Sequence, residues 1–66
     1  MKNYAITVEG IDGEPEILGT YSGNTAREAF EKFVVEQPVF EGEAEVYEIG
    51  PGAKFIRHEG NTEERA

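Results

Sequence analysis

Cysteine and tryptophan are absent from this chain, and histidine and methionine occur once each. Without cysteine no disulfide can staple a small core and no thiolate can hold zinc, so stability has to come from packing or from association. The absence also fits a reducing compartment. Lysine and arginine are scarce, 6 residues against 14 aspartates and glutamates, which leaves a net charge of −8. Neutralising phosphates takes cation clusters that this sequence lacks, so direct binding to nucleic acid or to an anionic membrane is disfavoured and cationic partners are favoured. The same surplus of carboxylates also serves plain solubility. Long apolar runs are missing too: none approaches the roughly 18 residues of a membrane span, and Met1-Lys2-Asn3-Tyr4 opens no apolar signal segment. A cytoplasmic protein is expected.

Sixty-six residues make one domain, and a chain of this size buries only about 60% of the surface its unfolded form exposes. Its best-marked element lies within YSGNTAREAFEKFVVEQP, residues 21 to 38. Thr25 followed by Glu28 is a capping box, in which the threonine hydroxyl accepts the Glu28 N–H and the glutamate reaches back to the Thr25 N–H. Pro38 ends the helix. Between them Ala26, Ala29, Phe30, Phe33 and Val34 recur at helical spacing and form one apolar stripe. Arg27 with Glu31 and Glu28 with Lys32 are i,i+4 pairs for the outer surface, about 0.2–0.5 kcal/mol each. Phe30 and Phe33 could stack bases, but their spacing is that of a buried face.

The segment NYAITVEGI alternates Tyr4, Ile6 and Val8 with Ala5, Thr7 and Glu9, the period of a half-buried strand. Asp12-Gly13-Glu14-Pro15 is turn chemistry, and EILGTYS supplies a second strand, with Gly19 as a weak point or bulge. After Pro38, VFEGEAEVYEIG and AKFIRHE are strand-like runs punctuated by Gly50-Pro51-Gly52. The expected architecture is ββαββ in the α+β class, one helix packed on one face of a small antiparallel sheet. The domain is expected over residues 1–58, with a flexible polar tail over 59–66. Strict alternation assigns Tyr4, Ile6, Val8, Ile17, Val46 and Phe55 to the helix-covered face. Leu18, Tyr47, Ile49 and Ile56 then point outwards, as an interface patch. The alternative is a register slip, since Val46-Tyr47-Glu48-Ile49 breaks the alternation and can hold a bulge.

Acidic residues recur at every second position in two places: Asp12, Glu14 and Glu16, and Glu41, Glu43 and Glu45, with Glu48 just beyond. In extended chain such residues share a face at roughly 6.6 Å, similar to the phosphate spacing of a nucleic-acid strand. Such rows can occupy a Lys/Arg surface built for DNA or RNA, or can simply be solvated strand faces. Catalytic and metal readings fare poorly. His58 is the lone imidazole, Ser22 lies in no G-x-S-x-G elbow, and the carboxylates match no calcium loop. Gly10-Ile11-Asp12-Gly13 is followed by carboxylates that repel phosphate. No catalytic residue, metal or cofactor is expected.

In the order hairpin, helix, further strands, and in size and charge, residues 3 to 58 resemble small bacteriophage proteins that inhibit host machinery, such as the phage-type RNA polymerase inhibitor and some anti-CRISPR proteins. The entry to the helix, with Gly23, Asn24, Thr25, Glu28 and Ala29, is similar to the G-[DN]-T-x-x-E-A segment of HicB-type antitoxin domains. The first resemblance implies a small non-enzymatic protein that binds a basic nucleic-acid-handling host protein, through Asp12, Glu14, Glu16, Glu41, Glu43, Glu45 and Glu48 for charge and Tyr47, Ile49 and Ile56 for apolar contact. The alternative is a homodimeric accessory or antitoxin-like domain that associates through the outer sheet face.

Overall fold

Tyr4, Ile6 and Val8 pack beneath the helix as their alternation predicts, in a strand, β1, that runs Lys2–Glu9. The structure is a computed structural model that describes residues 1–40 and 42–61. After β1 come β2 (Pro15–Gly23), α1 (Ala26–Glu36), β3 (Glu45–Ile49), a 3₁₀ turn at Pro51–Ala53 and β4 (Phe55–Asn61). The sheet is antiparallel with strand order β2-β1-β3-β4, and α1 packs on one face of it, so the ββαββ, α+β reading holds. β4 runs past residue 58, where the domain was expected to end, and residues 62–66 of the expected tail lie outside the described residues.

The β1–β2 connection closes as a turn, with the Gly13 N–H donating to Gly10 O at 3.0 Å and the Gly10 N–H to Glu14 O at 2.7 Å. Gly13 has φ +80°, the left-handed conformation that a hairpin loop of this type needs and that glycine adopts without a Cβ clash. Thr25 is the N-cap of α1, its Oγ1 accepting from the Glu28 N–H at 3.2 Å. The Glu28 carboxylate accepts from the Asn24 N–H at 3.1 Å, one residue before the partner expected for a capping box. Arg27 and Glu31 pair at 3.8 Å. Glu28 and Lys32 do not appear as a pair, because Lys32 Nζ donates to Ser22 O at 2.6 Å and ties the helix to β2. Gln37, restricted by Pro38, leaves the helical region and donates back to Phe33 O at 2.8 Å.

Ala26, Ala29 and Phe33 bury the helix stripe against Tyr4, Ile6, Ala44 and Val46; Phe30 is half-buried and Val34 more exposed. The Phe33 ring meets Tyr21 and Phe40 edge-on at centroid distances of 6.1 and 5.3 Å, an arrangement that suits the ring quadrupoles. Core packing is therefore the role of Phe33, rather than base stacking.

Three bulges correct the expected side-chain assignment. In β2, Gly19 stands opposite Ile6 and Ile17 opposite Thr7, so Leu18 is the extra residue and Ile17 moves to the outer face. In β4, Arg57 stands opposite Glu48 and Phe55 opposite Ile49, so Ile56 is extra. Glu59 is extra between His58 and Gly60. Phe55 thereby leaves the helix-covered face and stacks on Tyr47, centroids 4.5 Å apart and planes 14° apart. Each bulge inserts one residue and reverses the faces beyond it, so Leu18 and Ile56 are bulge residues instead of members of a regular outer row.

Candidate functional site

Because β1 is antiparallel to both neighbours, the β1–β2 turn and the start of β3 come to one end of the sheet. The register places Glu9 opposite Pro15, Glu16 opposite Val8 and Glu45 opposite Thr7. Glu9, Asp12, Glu14, Glu16, Glu43 and Glu45 are therefore gathered there. The two sequence rows, separate in the chain, become neighbours. Glu41 lies outside the described residues.

The opposite end carries the cations. Lys2 opens β1, Arg27 lies in the first turn of α1, Lys32 is bound to Ser22, Lys54 precedes β4 and Arg57 stands across from Glu48. Glu48, expected to extend the acidic row, belongs to this end and to the helix-covered face. Its Oε1 lies 3.9 Å from Lys2 Nζ and 3.8 Å from Arg57. Arg57 also donates to Glu59 at 2.9 Å, and that hydrogen bond, with the nearby charges of Glu59 and Glu48, raises the guanidinium pKa. Among the described residues, no Lys or Arg lies at the acidic end.

On the outer face, β1 contributes Ala5 and Thr7, both fully buried although no helix covers them. They are small side chains on a central strand, flanked by larger ones from β2 and β3. Tyr47 stands beside Ala5, half-buried under Phe55, with the His58 ring 4.9 Å from its own. His58 Nε2 lies 2.8 Å from Glu45 Oε1, and Asn61 Nδ2 donates to Glu43 Oε1 at 3.0 Å. Ile49 is buried at the far end of β3, whereas Ile56 is 61% exposed. Of the expected apolar contacts, Tyr47 and Ile49 thus share the outer face and Ile56 sits apart in its bulge.

Among the described residues, two shallow depressions flank this arrangement. One, of ≈ 260 Å³, lies at the start of α1 and is lined by Lys2, Thr25, Arg27, Arg57 and Glu59, three cations with one carboxylate. The other, of ≈ 120 Å³, lies on the outer face at the acidic end, lined by Thr7, Glu9, Gly13, Pro15, Glu45 and Tyr47. Sequence reasoning missed Thr7 and Glu9 as site residues. Their signal was the alternation of β1, which puts both on the face opposite Tyr4, Ile6 and Val8. Among the described residues no group of three or more His, Asp or Glu side chains is arranged to hold a metal ion, and no helix is long and apolar enough to cross a membrane.

No family model matches the chain, and no curated protein or solved structure shows significant similarity to it.

Proposed function

We propose that this chain is a non-enzymatic interaction protein that binds a basic, nucleic-acid-handling host protein and blocks the surface on which that protein holds its nucleic acid. One observation carries the reading: Glu9, Asp12, Glu14, Glu16, Glu43 and Glu45 converge at one end of the sheet while the described cations lie at the other. Concentrated charge of one sign steers a cationic partner during encounter and penalises like-charged competitors. Net −8 spread evenly would serve solubility alone; segregated charge has a direction. The resemblance of the sequence in layout, size and charge to small phage inhibitors of host machinery points, within this reading, to a host polymerase, nuclease or related complex as the target.

The test is capture from a nuclease-treated bacterial lysate on the immobilised chain, with salt-gradient elution and mass spectrometry, beside an identical column carrying the Glu43→Lys/Glu45→Lys variant. The reading expects a basic nucleic-acid-binding protein that the first column retains, moderate salt releases and the variant column loses. Equal retention on both columns, or none on either, overturns it.

A second reading rests on the outer face, where Ile17 and Phe55, on opposite edge strands, are 45% and 38% exposed and Phe55 stacks on the half-buried Tyr47. A homodimer formed through this face would sediment with a concentration-dependent coefficient and dissociate on Phe55→Asp. A monomer throughout the micromolar range removes that reading.

A further inference from the structure

We propose that the outer-face groove over Thr7 is a receptor for one cationic side chain, a lysine ammonium or an arginine guanidinium of a protein partner. This rests on the partner reading above and names its anchoring contact.

Thr7 carries the argument. It is 1% exposed, lines the groove, and makes no side-chain hydrogen bond among the described residues. Buried hydroxyls normally have a partner, and one without leaves its lone pairs open to a donor that enters the space beside it. Charge then decides which donor. Glu9 and Glu45 line the same groove, so an anion is repelled and a cation is attracted. Glu45 meets His58 through Oε1, which leaves Oε2 for an incoming N–H. Tyr47 lines the groove as well, its ring held by the stacked Phe55.

Size narrows the class further. A volume of ≈ 120 Å³ is well below the roughly 300–1,000 Å³ of pockets that hold drug-sized ligands, so the groove suits the end of one side chain and not a nucleotide or an organic cofactor. Its lining residues belong to paired positions of β1, β2 and β3 and to the hydrogen-bonded β1–β2 turn, so the backbone around it is held in place. Among the described residues no group of three or more His, Asp or Glu side chains, the Glu45–His58 pair included, is arranged to hold a metal ion.

The experiment is a titration of the ¹⁵N-labelled full chain with the blocked tripeptide acetyl-Gly-Arg-Gly-amide, its lysine analogue and its citrulline analogue, followed by amide chemical shifts. Saturable shifts centred on Thr7, Val8, Glu9, Gly13, Glu45 and Tyr47 are expected with arginine and lysine, and none with citrulline, which keeps the shape and removes the charge. Thr7→Val, nearly isosteric, should weaken binding about tenfold, the loss of one hydrogen bond to a charged group, with the rest of the spectrum unchanged. Glu45→Gln should weaken it as well. The proposal is overturned by non-saturating shifts spread equally over Asp12, Glu14 and Glu16, by an equal response to citrulline, by no response at all, or by an unaffected Thr7→Val variant. Failure here with salt-sensitive capture of a basic protein intact would remove the groove and leave the partner reading. Saturable peptide binding without such capture would do the reverse.

Discussion

Thr7 is a polar residue held where an apolar one would pack as well, and the unbound protein should register the difference. A buried hydroxyl with no partner costs free energy, and valine keeps its shape while raising strand propensity. Thr7→Val should therefore raise the stability of the free chain by about 1 kcal/mol, seen as a higher urea midpoint at unchanged slope. A lower midpoint would mean that the hydroxyl has a partner in the folded state. Tyr21 gives the contrasting case of a polar group that is satisfied. Its O–H donates to Glu36 at 3.1 Å, and desolvation first, then the hydrogen bond to that carboxylate and its charge, raise the phenol pKa above 10.0. A raised folded-state value favours the protonated phenol in the native state. The resulting stability is complete below pH 10 and is lost as pH climbs through the folded-state value. Thermal unfolding of the native chain and of Tyr21→Phe between neutral pH and pH 11 should thus show the native chain losing its advantage only in the alkaline range. Parallel curves would remove the Tyr21–Glu36 bond from the stability of the fold.

Among the elements, α1 was the most legible because its signals are local. A threonine cap, a helical apolar stripe and a proline stop fall within one stretch of chain, and the structure keeps all three. Thr25→Ala should accordingly cost about 1 kcal/mol of stability, with most of that cost absent in Thr25→Ser, which retains a hydroxyl acceptor. The strands were legible as strands, but the faces of β2 and β4 were not. Period-two reasoning carries a residue's face along the chain only while pairing is regular, and the extra residues Leu18, Ile56 and Glu59 interrupt it. Ile17 and Phe55 consequently changed faces. The acidic rows could be seen in the sequence, yet their meeting depends on β1 lying between β2 and β3, which no local pattern encodes. For the same reason Thr7 and Glu9 read as the solvent side of a strand: only the strand order makes that side the floor of a groove.

At the scale of the whole molecule, fold topology converts a net charge into a polarised one. Repulsion among carboxylates at the turn end works against compactness, whereas Glu48, set between Lys2 and Arg57, works for it. The two ends should therefore answer oppositely to the same chemical change. At low ionic strength, neutralising Glu14 as Glu14→Gln relieves repulsion and should raise the urea midpoint, while Glu48→Gln leaves two cations without their shared carboxylate and should lower it. Salt distinguishes this from local packing effects: at about 1 M, where the Debye length shrinks to about 3 Å, the gain from Glu14→Gln should vanish and the loss from Glu48→Gln should diminish. Equal responses from the two variants at low salt would mean that the segregation is too weak to be felt within the molecule. Opposite responses that salt suppresses would show that the acidic end carries electrostatic strain in the free protein. A cationic partner seated at that end relieves the same strain, so its binding and high salt should each raise the midpoint of the native chain, and the rise from salt should be smaller in Glu14→Gln.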